Sequence, residues 1–274
     1  MQIKNLTEKD YRALPKISQG DLKLINKAPL FYKLRETLNV RTSAMDFGIA
    51  CHAALLTPSE FKANFVVMPK FSGKTAKGEI TFSKNATDVK AKMAAFELEN
   101  QGKVIIEESD VERITGICNT LLQDETCSML LTGGESEVSF EFEHRGHQCK
   151  GRLDKLHLDH PLFGKTVIEF KTTRDASPEA FTREVANFGY DFQAAFYSLA
   201  LRPQRYFCIA IEKEFPFAFG VYDMSQWIEL GEKKVEKAFD KLEYCLENNV
   251  WPGYTESLEQ LQPPSWEVAM SQEN

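Results

Sequence analysis

Apolar positions along this chain recur at two spacings, and the change between them organises everything else. In the N-terminal third they recur at three and four. "SQGDLKLINKAP" (18–29) predicts a helix with Ser18 and Asp21 in an N-cap pattern and Pro29 as its stop. "SAMDFGIACHAALLTP" (43–58) predicts a second, placing Met45, Gly48, Ile49, His52 and Leu56 on one face and so His52 on a buried stripe. A third is expected over "SDVERITGICNTLLQDE", capped near Ser109. From Glu137 the period becomes two. "EVSFEFEHRGHQCKGRLDKLHL" (137–158) predicts two antiparallel strands turning at "HRGH", and "TVIEFKTT" (166–173) a third after the link "DHPLFGK". A helix begins at "SPEAFTREV" with Ser177 as cap and Pro178 at the first helical position. "GYDFQAAFYSLAL" continues as another helix, "YFCIAIE" and "FAFGVYD" read as strands, and residues 224–249 as a long amphipathic helix.

Helices, three strands, helices, two strands and a last helix predict an α/β chain, in the α+β sense of a mixed sheet flanked by helices. The expected organisation is one domain over 1–255, with a helical N-terminal region over 1–130 and a core over 131–255, followed by a loose tail over 256–274.

Composition narrows the picture. At 274 residues, 43% hydrophobic and 27% charged, the chain is an ordinary globular one. No apolar run reaches membrane-spanning length and the first residues lack a signal-peptide core, so no membrane and a cytoplasmic location are expected. The six cysteines show no metal-ligand spacing and read as small core residues. Net charge is −7, but residues 223–274 alone hold 11 acidic and 4 basic side chains, which leaves 1–222 balanced. A nucleic-acid site there is compatible with the total. The stretch from Pro69 to Lys92 carries six lysines against Glu79 and Asp88, and its beginning reads as a mobile basic loop.

The chemistry gathers on "TVIEFKTT". A strand places i and i+2 on one face, so Glu169 and Lys171 project together while Phe170 points away. Asp154, expected at the end of the strand "CKGRLD", lies on the neighbouring strand. Two adjacent carboxylates repel and take up a proton or a metal. Oxygen ligands suit Mg²⁺ or Mn²⁺. A Glu-x-Lys pair on a strand is alone more often a solvated cross-face pair than a site.

"GRLDKL", then "EFKTT" fifteen residues after its Asp, then "QAAFY", resemble the PD-(D/E)XK nuclease core, most of all the exonuclease VIII (RecE) family of phage and prophage recombination exonucleases. "ISQGDLKLINKAPLFYK", "SAMDFGIACHAALLTPSEF" and "WPGY" are similar to that family too, so the resemblance runs over about residues 15 to 255. It implies Asp154 and Glu169 as metal ligands, the Phe170 carbonyl as a third, and Lys171 as the catalytic lysine. It implies His52 as a ligand, against its reading as a core histidine held by a carbonyl. A further acidic residue before the hairpin is implied, for which Glu135 and Glu137 both stand, Glu137 being preferred because it opens the strand. Gln193 and Tyr197 would lie near the scissile phosphate, with Thr172 and Thr173 as further donors.

The cofactor implied is Mg²⁺, with Mn²⁺ as substitute. The function implied is 5′-to-3′ digestion of linear double-stranded DNA, leaving 3′ overhangs for a single-strand annealing protein in DNA recombination and repair, by a homo-oligomer forming a tetrameric ring. Lys70, Lys74, Lys77 and Lys84 are expected to contact DNA phosphates. The alternatives are a catalytically silent DNA-end-binding scaffold of the same fold and a Cas4-like or AddB-like repair nuclease. The cluster-bearing form of the latter is disfavoured because only Cys245 lies in the C-terminal region. A Mg²⁺-dependent phosphatase or kinase would want a phosphate-cradling glycine loop, which "FSGKTAKG" resembles only superficially, its Gly-Lys-Thr lacking the second glycine four residues upstream.

Overall fold

The computed structural model of the chain describes all residues but 5, 39–42, 76, 79, 256, 265, 266 and 268–274. Glu79 of the lysine-rich stretch and most of the expected tail therefore lie outside the described residues, and 257–264 have no regular structure. In chain order the elements are β1 (Gln2–Lys4), α1 (Glu8–Ala13), α2 (Gln19–Lys27), α3 (Pro29–Lys33), α4 (Ser43–Leu56), α5 (Pro58–Asn64), β2 (Phe65–Val67), β3 (Gly73–Lys74), β4 (Ile80–Thr81), α6 (Thr87–Glu99), β5 (Val104–Ile106), α7 (Glu108–Gln123), α8 (Glu125–Leu131), β6 (Glu135–His144), β7 (His147–His160), β8 (Gly164–Thr173), α9 (Pro178–Phe188), α10 (Tyr190–Leu201), β9 (Arg205–Glu212), β10 (Phe219–Asp223) and α11 (Ser225–Asn248). They form two compact units, 1–19 with 40–235 and 20–39 with 236–274.

The first unit is built on a six-stranded sheet in the order β1-β6-β7-β8-β9-β10. All its pairings are antiparallel except β8 with β9, which run parallel because α9 and α10 carry the chain back between them. This is the mixed sheet flanked by helices that the order of elements predicts. On one face Ile168 and Phe170 of β8 and Ile209 and Ile211 of β9 join Phe47, Ala50 and Cys51 of α4 and Ile114, Ile117 and Leu121 of α7 in a buried core. Elsewhere Phe140 packs edge-on against Tyr197 and Phe142 against Phe196, both rings of α10. Gly231 of α11 lies so close to the Asp191 backbone that a Cβ there would collide with it, and Lys234 reaches buried Asp191 at 2.5 Å.

The second unit contains α3, most of α2 and the end of α11, whose Ala238, Phe239, Leu242 and Cys245 are buried. Its returning chain is held by Leu30 N–H donating to the Pro252 carbonyl and by Tyr32 stacking on Trp251 at 5.8 Å.

Four expectations change. The buried face of α4 is Phe47, Ala50 and Cys51, whereas Met45 is exposed and His52 half-buried; an almost wholly apolar helix does not fix its inner face by periodicity. The cap of α7 is Glu107, which exchanges hydrogen bonds with Asp110 in a capping box. The lysine-rich segment is not an unstructured loop: it holds the β3–β4 hairpin and α6, Gly73 packs on Val89, and Lys70 and Lys84 pair with Glu108 and Glu107. Asp154 stands within β7, not at its end. Edge strand β1 was not foreseen, since three residues carry no readable alternation. All six cysteines are free, and all but half-buried Cys118 are buried. Among the described residues no helix is long and apolar enough to cross a membrane.

Buried Lys150 ties the N-terminal segment to the sheet. Its Nζ donates to the carbonyls of Tyr11, Arg12 and Leu14, at and just beyond the C-terminal end of α1, where orphan carbonyls need donors. Lys150→Ala should cost about 2 kcal/mol and lower Tm by roughly 4–8 °C. An unchanged melting curve would show that water replaces the ammonium at no cost.

Candidate active site

The pairing of β7 with β8 runs from His160 opposite Gly164 to Lys155 opposite Ile168 and there stops. One residue on, the Phe170 N–H donates to the Asp154 carboxylate, Oδ2 at 2.7 Å, so a side chain takes over from the ladder. Glu169 and Lys171 flank Phe170 and share the opposite side of the strand, as the alternation requires. Lys171 Nζ lies 2.9 Å from Glu169 Oε2, and Gln193 Nε2, from α10, donates to the same oxygen at 2.7 Å. The other oxygen, Glu169 Oε1, is buried without a hydrogen-bond partner.

Two further elements complete the cluster. From α4, His52 sets Nδ1 3.3 Å from Asp154 Oδ1 and its ring edge-on to Phe170 at 5.0 Å. From β6 comes Glu137. Its neighbours Ser136 and Val138 pair regularly with Lys155 and Leu153, but Glu137 itself adopts a left-handed φ of 54°, a strained state for a residue with a side chain. Arg152 holds it in place: Nε donates to Glu137 Oε2 at 2.7 Å while the other end of the guanidinium donates to the Leu6 carbonyl. One ligand atom each from His52, Glu137 and Asp154 lies within 4.8 Å of the others. Exposed Glu135, the other acidic residue considered, is outside that trio.

The buried charges perturb one another. Burial and the charge of Asp154 push Glu169 up to about 7 against the opposing pull of Lys171. Burial and Asp154 likewise raise Glu137, although Arg152 resists. Asp154 itself is brought down to about 2, because the charges of His52 and Lys171 and the Phe170 N–H outweigh its burial. Burial disfavours the charged forms of His52 and Lys171, yet Asp154 for the first and Glu169 with Asp154 for the second hold both above their usual values. Three carboxylates thus crowd together beside an imidazole whose affinity for a proton they raise.

The remaining sequence-predicted residues divide. Gln193 is at the cluster, on Glu169. Tyr197 is buried, its ring against Phe140 and its phenol against the Arg152 backbone. The Thr173 hydroxyl is engaged internally by Glu184 and the Asp175 carbonyl, whereas Thr172 faces Gly48 of α4. Lys70, Lys74, Lys77 and Lys84 are on the β2–α6 segment, outside the cluster. Sequence reasoning missed Arg152, although as the residue two before Asp154 on a strand it shares that residue's face. It also missed Tyr190, whose ring lies 5.3 Å from Lys171 Nζ and which stands three residues before Gln193 on α10.

The donor set of one imidazole and several carboxylates, with the orphaned Glu169 oxygen beside them, fits a divalent cation. His52, Glu137, Asp154 and Glu169 are the residues that would hold it.

Over residues 24–264 the chain matches the family described as a PDDEXK-like domain of unknown function (DUF3799). Among solved structures, a protein from Eubacterium rectale provisionally named an exonuclease aligns over 98% of this chain and 99% of its own, with a TM-score of 0.57 at 13% identity, a likeness of fold alone. The protein SSO0001 aligns over 82% of this chain and 94% of its own at 18% identity, with a TM-score of 0.28, too low to show a shared fold. No curated protein matches the chain.

A ligand imidazole must be neutral, and Asp154 raises the affinity of His52 for a proton, so metal and proton compete there. Calorimetric titration with Mn²⁺ in buffers of different ionisation enthalpy should show proton release, and affinity should rise with pH through the raised His52 value. Asp154→Asn should weaken Mn²⁺ binding at least 10-fold and reduce the metal-induced rise in Tm expected of the wild type. Binding without proton release would remove His52 from the ligand set.

Proposed function

Because the chain belongs to the PDDEXK-like family DUF3799, we propose that it is a metal-dependent exodeoxyribonuclease of the exonuclease VIII type, hydrolysing phosphodiester bonds of linear double-stranded DNA. The observation that carries this reading is the meeting of His52, Glu137 and Asp154 with the Glu169–Lys171 pair where β7 and β8 separate. Mg²⁺ is the proposed metal, with Mn²⁺ able to replace it. Bound there, a divalent cation supplies charge neutralisation at the phosphate and a more acidic water.

The chain's own residues do the rest. Asp154, fixed by the Phe170 N–H, and Glu137, fixed by Arg152, set the position of the carboxylates. Gln193 holds one Glu169 oxygen and leaves the other, buried and without a hydrogen-bond partner, available to a ligand. Lys171, whose carboxylate neighbours raise its pKa against its burial, is the residue we assign to act by charge on the attacked phosphate. Burial of the cluster strengthens that interaction.

Digestion from 5′ ends, delivery of 3′ overhangs to a single-strand annealing protein, and a ring-shaped homo-oligomer belong to the same proposal, and rest on the motif order from "GRLDKL" to "QAAFY". Nothing in the chain resembles a base-reading module, and phosphate contacts position a strand without specifying it. Control must then come from access.

Lys171→Ala should retain metal and DNA binding and lose about 100- to 1000-fold in turnover. If DNA affinity falls as steeply as rate, Lys171 binds and does not catalyse. Linear duplex labelled at either end should be degraded from its 5′ ends, with covalently closed circles left intact; equal rates on both would defeat the exonuclease reading, and no cleavage of either would leave the silent end-binding protein. Replacing Lys74 and Lys77 with Ser should weaken duplex binding and flatten its salt dependence by roughly 0.9 in logarithmic slope for each lost phosphate contact. An unchanged slope would return that segment to plain solvated surface.

A further inference from the structure

Helix α10 brings Gln193 to Glu169, yet it begins without the device that usually fixes where a helix starts. Its N-cap is Gly189, left-handed at a φ of 64° and with no side chain to accept from the first N–H groups. Further along, Phe192, Ala194, Ala195 and Phe196 are buried. Apolar contacts of that kind hold a helix against a sheet, but they are non-directional and leave its rotation and its position along its own axis weakly fixed. Gln193 tolerates little of either, because its amide has to meet one Glu169 oxygen at 2.7 Å.

The first turn is gripped by α11 instead. Asp191 is fully buried; its Oδ2 accepts from Lys234 Nζ at 2.5 Å, while its Oδ1 is buried without a hydrogen-bond partner. Gly231 lies three residues before Lys234 and so on the same face of α11. A side chain at Gly231 would run into the Asp191 carbonyl and the Ala195 methyl, so glycine is what lets the two helices close on each other there. α11 therefore meets this turn at two points, one steric and one ionic. A buried carboxylate with one partner and an unused oxygen is costly, and apolar residues of similar volume would serve stability as well or better. What the pair adds is direction. Asp191 and Gln193, two apart, leave the helix on different sides, so the clamp acts on Gln193 through the backbone of the turn. We propose that Asp191, clamped by Lys234, is a positioning residue for the metal site: it fixes the first turn of α10, and through it the Gln193 amide that occupies one Glu169 oxygen and leaves the other for the cation. This rests on the metal-dependent reading above and deepens it.

The test uses the full chain, with Mn²⁺ binding followed by calorimetry and melting curves recorded on the same samples. The Lys234 side chain is 42% exposed, so it can be exchanged without emptying the core. Lys234→Met should weaken Mn²⁺ binding about 10-fold, and Lys234→Arg, which keeps the charge and the donors, should restore it. Since Lys234→Met strands a buried carboxylate and can unfold the chain, the neutral double variant Asp191→Asn with Lys234→Met is measured beside it; it should fold and show the same loss. In a Gln193→Ala background, which alone weakens Mn²⁺ binding, Lys234→Met should cost nothing more, as expected of two residues that act through one contact. In cleavage, the double variant should need about 10-fold more Mn²⁺ for half-maximal rate with the KM for DNA unchanged. A lowered Tm with unaltered Mn²⁺ affinity in the folded double variant would make the pair plain packing and overturn the proposal, as would a full further loss in the Gln193→Ala background. A wild type that binds Mn²⁺ with no dependence on Lys234 defeats the positioning role alone; one that binds no Mn²⁺ defeats the metal-dependent reading and this role with it.

Discussion

The hydrogen bond from the Phe170 N–H to the Asp154 carboxylate is the constraint from which the rest of the site follows. Phe170 is fully buried, so its N–H must find an acceptor. Had the β7–β8 ladder continued, a carbonyl would have served and the Asp154 side chain would have been free. Because pairing ends at Lys155 and Ile168, the acceptor is a side chain, and the carboxylate is fixed where the two strands separate. Fixing Phe170 in turn fixes its neighbours: Glu169 and Lys171 are thrown to one side of the strand while the Phe170 ring is pressed into the core with Phe47 and Cys51.

This arrangement crowds three carboxylates, an imidazole, an ammonium and a guanidinium where the two strands separate. Asp154 is held low, Glu137 and Glu169 are driven toward their protonated forms, and Asp154 raises His52 beside them against its burial. A protein optimised for stability alone would replace such a cluster with apolar residues of similar volume, since paired buried charges seldom outweigh their desolvation. The backbone shows the same tendency, for Glu137 is kept in a left-handed conformation that costs about 1–2 kcal/mol for a residue other than glycine. Arg152 holds it there. Strain and perturbed titratable groups at one point are the usual marks of a site shaped for a ligand.

Two helices bring side chains to this strand junction. α4 contributes His52 and packs Phe47, Ala50 and Cys51 into the β8–β9 core, while α10, buried along much of its length, contributes Gln193. Both are anchored by packing along their inner surfaces, so the polar residues they carry are placed by the core. The turn between α9 and α10 extends the same logic to the surface, where Tyr190 and Phe188 continue a ring-on-ring series that begins in the interior.

By itself the sequence determined the central strands, the main helices around them and the residue types that meet at the site. The two-residue alternation of β6 to β8 marked the central strands, Ser177 and Pro178 marked the start of α9, and the separation of Asp154 from the Glu169–Lys171 pair identified the residues that the structure brings together. These are local properties, set by backbone geometry and by residue type. Tertiary structure alone decided what depends on neighbours distant in sequence. It decided that α4 buries Phe47 and leaves Met45 exposed, because a helix apolar on nearly every side takes its orientation from what it packs against. It decided that Glu137, and not exposed Glu135, faces Asp154, because a left-handed φ at one residue of β6 redirects a carboxylate in a way alternation cannot express. It gave Lys70 and Lys84 glutamate partners from the start of α7 and its cap, a pairing that no count of lysines in their own segment contains. And it placed Tyr190 beside Lys171, since contacts between a helix terminus and a strand are fixed by the path of the chain between them.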